Sequence, residues 1–143
     1  MDERPYRVLI LDNDPDTLVT LQHLLEDAGI DATITWDEAE ARQLVESEVF
    51  DLVLLGDHPP ELDAALLLGA VSTHGASYPS LILRDNVLEK DIEQLRGLGA
   101  VGVVPKRDPC LVLEEVRKAL APRATLPRHH PLAWPKPLRR AAS

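Results

Sequence analysis

The chain has 143 residues, of which 45% are hydrophobic and 27% charged, the size and balance of one globular domain. Its single Cys excludes a disulfide framework and a cysteine-based zinc site. All 24 acidic residues precede Pro122, so residues 1–121 carry a net charge of −14 and residues 122–143 carry +5, which add to the overall −9. An acidic domain repels phosphate backbones, which argues against nucleic acid as a partner.

Nothing in the sequence points to a membrane or to export. The longest apolar run, residues 64–71, is too short to cross a bilayer. The first residues lack the basic and apolar regions of a signal peptide. We therefore expect a cytoplasmic protein without membrane contact.

Short apolar runs alternate with amphipathic helical patterns over the first 121 residues. Strands are predicted at residues 6–11, 30–35, 51–55, 79–83 and 101–104. The first helix begins at Asp14-Pro15, an N-cap followed by Pro at the first helical position, and ends at Gly29. Further helices are predicted after Asp37 and at about 63–72, 87–98 and 109–121. In the helix at 63–72, Leu66, Leu67 and Val71 are expected to face the core.

This alternation predicts an α/β domain over residues 1–121. Right-handed βαβ units give a single doubly wound, five-stranded parallel sheet with helices on both faces, a flavodoxin-like fold. Residues 122–143 contain five of the twelve prolines and no acid, so we expect a flexible C-terminal segment there. Three roles stay open for it: a plain terminal extension, a docking peptide anchored by Trp134 and Arg139-Arg140, or a segment that folds back on the acidic domain.

Polar residues follow the ends of four predicted strands, which meet in one crevice of a doubly wound sheet. They are Asp12, Asn13 and Asp14 after the first, Gly56 and Asp57 after the third, Arg84 after the fourth and Lys106 after the fifth. With Asp51-Leu52-Val53-Leu54-Leu55 before Pro60, these spacings resemble the receiver domain of bacterial two-component response regulators, over residues 6–121.

The resemblance implies a phosphoryl-transfer site. In that family an aspartate ending the third strand accepts the phosphoryl group, and acidic residues after the first strand hold Mg²⁺. A Ser or Thr ending the fourth strand and a Lys ending the fifth contact the phosphoryl oxygens. A divalent cation and a lysine are needed because a carboxylate and a phosphoryl donor repel each other.

This chain departs from the pattern at most of those positions. The acceptor position falls on Gly56, the second acidic position on Asn13, the hydroxyl position on Arg84 and the aromatic position of the fifth strand on Val103, whereas Asp12, Asp14 and Lys106 match. We therefore expect no catalytic residue, no enzymatic activity and no cofactor. Asp12 and Asp14 are weak candidates for Mg²⁺.

Three of these residues carry alternative interpretations. Asp57 is either a displaced phosphoryl acceptor or a solvated loop carboxylate. Arg84 either reaches Asp12, Asp14 or Asp57 and supplies a fixed positive charge, or turns to solvent. Lys106 is either a functional lysine or a framework residue paired with Asp12.

The function that the resemblance implies is that of a stand-alone atypical receiver, a phosphorylation-independent protein-interaction module in signal transduction. The expected contact surface is the fourth helix, fifth strand and fifth helix, with a signalling protein, an effector or a second copy as partner. It includes Lys90, Glu93, Val103, Glu114 and Lys118. The alternatives are a working receiver that uses Asp57 with Mg²⁺, and a small-ligand or anion site formed by Arg84 and Lys106 in the room left by Gly56.

The remaining reactive side chains are expected to be structural. His23 and His58 are predicted to be surface residues without metal-ligand spacing. Cys110 follows Pro109 at a helix N-terminus, a position that can activate a thiol, but a small, partly buried residue is the simpler interpretation.

Overall fold

A computed structural model describes residues 5–58, 62–71 and 79–124 of the chain. Within these ranges, five strands and five helices alternate. The strands are β1 (Arg7–Leu11), β2 (Asp31–Thr35), β3 (Leu52–Gly56), β4 (Ser80–Arg84) and β5 (Ala100–Pro105). The helices are α1 (Pro15–Asp27), α2 (Glu38–Ser47), α3 (Ala64–Val71), α4 (Glu89–Gly97) and α5 (Pro109–Ala124).

The helix boundaries follow from local chemistry. Asp14 is the N-cap of α1 and accepts a hydrogen bond from the backbone N–H of Asp16, with Pro15 at the first helical position. Asp37 caps α2 in the same way, accepting from the N–H of Ala39. Gly29 ends the α1 segment with a φ of +83°, which glycine adopts without a steric penalty. Both predicted caps are therefore confirmed.

The strands form one parallel sheet in the order β2-β1-β3-β4-β5. This order is the flavodoxin-like arrangement predicted from the sequence, and it puts a topological switch point between β1 and β3. β1 and β3 are central and buried on both faces, whereas β2 and β5 form the edges. The register between β4 and β5 shifts after Ser80, which leaves Val101 out of the pairing.

Two apolar layers cover the sheet. On one face, α1 and α5 pack with Ile10, Leu54 and Leu83 of the strands. On the other face, residues from α2, α3 and α4 pack with Leu9, Phe50 and other buried side chains. The site edge of the sheet is thus built on rigid, fully packed strands.

Two details differ from the sequence-based expectations. Leu66 was predicted to face the core but is 72% exposed, because Ala64, Leu67 and Leu68 are the residues of α3 that turn toward the sheet. Helix α5 continues through Pro122 to Ala124, beyond the predicted domain boundary at residue 121. Residues 125–143, including Trp134 and Arg139-Arg140, lie outside the described residues.

Within the described ranges, we find no helix with the length and apolar character that crossing a membrane requires.

Candidate functional site

The parallel sheet brings the predicted polar residues to one edge. Gly56 is the last residue of β3 and Arg84 the last of β4, while Asp12 and Lys106 directly follow β1 and β5. The register places Leu11 beside Leu55 and Arg84 beside Pro105, so these strand ends are neighbours. The crevice predicted from the sequence is therefore formed.

Asp12 and Lys106 form a buried ion pair at its centre. Asp12 is fully buried and Lys106 only 8% exposed. The Lys106 Nζ donates to Asp12 Oδ1 at 3.2 Å, and the backbone N–H of Asp14 donates to the same oxygen at 2.9 Å. A buried charge is tolerated only when it is paired and hydrogen-bonded, as Asp12 is here. The predicted pairing of Lys106 with Asp12 is thus observed.

His58 completes this cluster, and its prediction as a surface residue is wrong. Its side chain is only 17% exposed, and its Nε2 lies 3.2 Å from Asp12 Oδ1 and 2.6 Å from Lys106 Nζ. An ammonium group can only donate, so the short contact with Lys106 requires His58 Nε2 to accept. His58 is held there by two backbone hydrogen bonds with Leu62, whose side chain is buried.

The space beside Gly56 is filled by a neighbouring side chain. A β-carbon built on Gly56 would lie 2.6 Å from Asp12 Oδ2 and 2.9 Å from Asp12 Cγ. These distances are below van der Waals contact, so Asp12 occupies the space that a side chain at position 56 would need. The room that we expected above Gly56 for a small anion is therefore taken by a carboxylate.

Asp57 and Arg84 form a second ion pair beside the first. The Arg84 guanidinium donates to Asp57 Oδ2, while the backbone N–H of Ala64 donates to Asp57 Oδ1 at 3.0 Å. Arg84 also lies 3.6 Å from a carboxylate oxygen of Asp91 in the first turn of α4. Of the partners considered for Arg84, the structure thus selects Asp57, and it adds Asp91, which the sequence analysis missed.

Asp14 and Asn13 lie at the rim rather than in the centre. The Thr17 hydroxyl donates to Asp14 Oδ2 at 2.9 Å. This hydrogen bond, helped by the Asp16 backbone N–H and the charge of Lys106 and opposed by partial burial, lowers the pKa of Asp14 below its usual 3.8. Asn13 is exposed. The Asp14 carboxylate therefore stays ionised and serves as a helix cap.

These residues do not fit the Mg²⁺ that the fold family implies. Mg²⁺ needs several oxygen ligands in octahedral order, but the oxygens of Asp12 face the ammonium of Lys106 and the His58 ring. Both oxygens of Asp14 are engaged within the first turn of α1. Among the residues that the structure describes, no group of three His, Cys, Asp or Glu side chains could hold a metal.

The other predicted residues have simple placements. Lys90, Glu93, Glu114 and Lys118 are exposed on α4 and α5, and Val103 of β5 is half-buried against the core. His23 is exposed, as predicted. Cys110 is exposed rather than partly buried, because it lies on the outer side of the first turn of α5 while Val112 turns inward.

The Arg84 contacts lead to a stability prediction. Replacing Arg84 with Ala should lower the free energy of unfolding by about 1–2 kcal/mol, because Asp57 is nearly buried and loses its cation. Urea denaturation of the two proteins measures this difference. Arg42→Ala is the matched control, since Arg42 pairs with Glu38 on the exposed surface of α2 and should contribute about 0.5 kcal/mol or less. Equal effects of the two substitutions would contradict the assignment of Arg84 to the site.

Comparison with known proteins gives a distant sequence relative. No protein-family model matches the chain. An uncharacterised 14.6 kDa protein encoded in the sodA1 3′ region of Leptolyngbya boryana is 34% identical over 86 residues, which cover 59% of this chain and 66% of that protein. The match thus spans just under two thirds of the relative's length.

Solved structures share the fold at lower identity. The receiver domain of the Francisella response regulator 1452 superimposes with a TM-score of 0.74 at 21% identity, over 81% of this chain and 97% of that one. A CheY-like receiver domain protein from Methanospirillum hungatei gives 0.73 at 22% identity, over 85% and 98%. An orphan response regulator of H. pylori gives 0.71 at 18% identity, over 83% and 99%. The chain therefore has the five-stranded fold of response regulator receiver domains.

Proposed function

We propose that this chain is an atypical receiver that acts in signal transduction through protein contacts, without phosphorylation and without enzymatic activity. The observation that carries the proposal is the closure of the pocket by the chain's own charges. Asp12 pairs with Lys106 and fills the space beside Gly56, and Asp57 pairs with Arg84. Each group that would bind a metal or a phosphoryl group is already engaged.

The first alternative, a displaced acceptor at Asp57, is disfavoured by the same contacts. A carboxylate attacks phosphorus through an oxygen lone pair, and both oxygens of Asp57 are made less nucleophilic by the hydrogen bonds that Oδ1 accepts from the Ala64 backbone and Oδ2 from Arg84. Phosphorylation would therefore require the Arg84 pair to break. A metal ion that supplied positive charge to such a reaction would also have to bind next to Lys106 and His58, where Lys106 already carries a positive charge.

The second alternative, an anion or metabolite site between Arg84 and Lys106, meets a similar obstacle. Both cations have carboxylate partners within the pocket, and Lys106 is buried. A bound anion would have to displace Asp12 or Asp57. Because the buried pair is costly to break, this alternative ranks below protein interaction.

The proposed contact surface is the α4–β5–α5 face. Its exposed charges alternate in sign, with Lys90 and Glu93 on α4 and Glu114 and Lys118 on α5. Exposed apolar residues lie among them, namely Leu88, Leu98 and Val101. Val103, in the position of an aromatic residue, has no ring to turn between two states, so we expect the same surface at all times. A polar rim around a few apolar anchors is the usual composition of a protein interface.

A titration with Mg²⁺ and then beryllofluoride, a phosphoryl mimic, tests the closed pocket. We expect the amide NMR signals of Asp12, Asp57 and Lys106 to stay unchanged, because the pocket offers neither a free carboxylate nor a metal site. Incubation with a small phosphodonor should likewise add no mass. Saturable shifts at these residues that spread into α4 and α5, together with a base-labile mass increase, would instead establish a phosphorylated receiver.

Charge reversal tests the proposed surface. The double variant Lys90→Glu/Glu93→Lys should lose the protein partners that the wild-type chain retains in affinity capture. The control Glu26→Lys changes an exposed charge on α1, which packs on the opposite side of the sheet from α4, and should retain them. If both variants keep the same partners, the placement of the contact surface on α4 is wrong.

A further inference from the structure

An exposed tryptophan lies beside the closed pocket and has no role in it. Trp36 directly follows β2 and is 70% exposed, although a large aromatic side chain normally contributes its area to a core or an interface. A cavity of about 300 Å³ is lined by Trp36, Pro15 and Asn13. Asn13 lies in the loop between β1 and α1 and Pro15 is the first residue of α1, so the cavity opens at the carboxyl edge of the sheet.

We infer that this cavity, hereafter the Trp36 cavity, binds the chain's own Pro-rich C-terminal segment, residues 125–143. This inference concerns a surface distinct from the α4–β5–α5 face and does not depend on the proposed function. Three observations carry it: the composition of the cavity, the opposite charges of the two parts, and the distance that the segment must cover.

The lining of the cavity suits a proline-containing chain. An indole ring and a proline ring give a flat, apolar surface, and aromatic-lined grooves recognise extended Pro-rich segments because these are already ordered before binding. Residues 125–143 contain Pro127, Pro131, Pro135 and Pro137, the last two on either side of Lys136. Trp134 adds a second aromatic ring to the same stretch.

Charge favours the same pairing. Acidic residues flank the lining residues in the sequence, namely Asp14, Asp16, Asp37 and Glu38. Glu38 pairs with Arg42 and Asp14 is attracted by Lys106, whereas Asp16 and Asp37 form no ion pair within the described residues. The segment carries Arg128, Lys136, Arg139 and Arg140 and no acidic residue. A basic segment is therefore attracted to this edge, and an arginine can also stack on the indole ring.

The segment is long enough to reach the cavity. Helix α5 runs antiparallel to the strands and packs beside α1, so its end at Ala124 lies at the edge opposite the cavity. Its 16 residues span about 24 Å at 1.5 Å per residue, and crossing α1 adds about 9 Å. An extended chain at about 3.1 Å per residue covers that path in about 11 residues. The 19 residues after Ala124 thus bring Pro135 through Arg140 to the Trp36 cavity.

NMR of the full chain tests the inference, since its two tryptophans give two indole N–H signals. We expect nuclear Overhauser contacts between the Trp36 ring and proline protons of residues 125–143. Trp36→Ala should shift the amide signals of that segment. Arg139→Glu/Arg140→Glu, which leaves the folded domain untouched, should shift the Trp36 indole signal. Leu66→Ala is the matched control, because it removes an equally exposed apolar side chain from α3.

The outcomes separate the possible occupants. Contacts and shifts that persist on dilution, with no effect of Leu66→Ala, support docking within one chain. Contacts that disappear on dilution would assign the cavity to a second copy and overturn the inference. An unchanged Trp36 signal in the arginine variant, without contacts to the prolines, would also overturn it and leave the cavity to another partner.

Discussion

Replacing Lys106 with Met is expected to lower the free energy of unfolding by about 3–5 kcal/mol. Methionine fills a similar volume, so the effect isolates the charge. Without the ammonium group, the fully buried Asp12 keeps the Asp14 backbone N–H as its donor, since His58 Nε2 accepts from Lys106 and carries no proton toward the carboxylate. An unpaired carboxylate in that position is strongly disfavoured, because it has lost its hydration without gaining a counter-charge. Urea denaturation followed by circular dichroism measures the loss.

Two controls separate the buried charge from other effects of losing a lysine. Lys118→Met removes an exposed lysine that pairs with Glu115 on α5 and should cost about 0.5 kcal/mol or less. The double variant Asp12→Asn/Lys106→Met removes both charges and should recover a large part of the loss, since the neutral amide no longer needs a cation. If Lys106→Met were no more destabilising than Lys118→Met, the Asp12–Lys106 pair could not be what closes the pocket.

Replacing Gly56 with Ala is expected to destabilise the protein by about 2–3 kcal/mol. The added β-carbon would meet Asp12 Oδ2 at 2.6 Å and the Leu11 carbonyl oxygen at 3.2 Å. The backbone must give by a few tenths of an ångström, and the Asp12 side chain must turn away from Lys106 and His58. The substitution therefore disrupts the same ion pair from the opposite side. Thermal or urea unfolding detects the change.

A second glycine in the chain provides the matched control. Gly97, the last residue of α4, has no atom within 4 Å of a built β-carbon and a negative φ. Gly97→Ala should therefore stabilise the protein by about 0.5–1 kcal/mol, because alanine has a higher helix propensity than glycine and lowers the conformational entropy of the unfolded chain. In Gly56→Ala/Asp12→Ala the two losses should not add, because each substitution removes the same contact. Additive losses would mean that Asp12 does not fill the space beside Gly56.

Both predictions bear on function as well as stability. Carboxylates that are left free to bind a metal repel one another, at a cost in stability. Here Asp12 is neutralised by Lys106 and covers Gly56. A large stabilising contribution from these contacts, together with a flat Mg²⁺ titration, would support an interaction surface that does not switch.

The fold was predictable because its signals are local. Buried parallel strands appear as short apolar runs, and β1 and β3 are found within one residue of their predicted bounds. Capping aspartates and Gly29 mark the helix boundaries in the sequence itself. Leu66 was misplaced because three consecutive leucines in α3 do not reveal which of them faces the sheet.

The site was only partly predictable, and the reason lies in side-chain direction. Which strand ends meet follows from the topology, so the neighbourhood of Asp12 and Lys106 could be inferred. The pairing of Arg84 with Asp57 could not be inferred, because a side chain as long as that of arginine can reach any of several carboxylates. The contact between Arg84 and Asp91 was also not predicted, since the position of α4 over the end of β4 depends on helix packing.

The sequence by itself determined the order of strands and helices, the glycine at the end of β3 and the uneven distribution of charge. Only the tertiary structure decided that His58 turns inward to Lys106, held by its two backbone bonds with Leu62. Only the tertiary structure, likewise, brought the Asp12 carboxylate into the space beside Gly56. Local patterns specify the backbone, whereas the closing of a pocket depends on which charges can be buried together, and that is settled only when the strand ends meet.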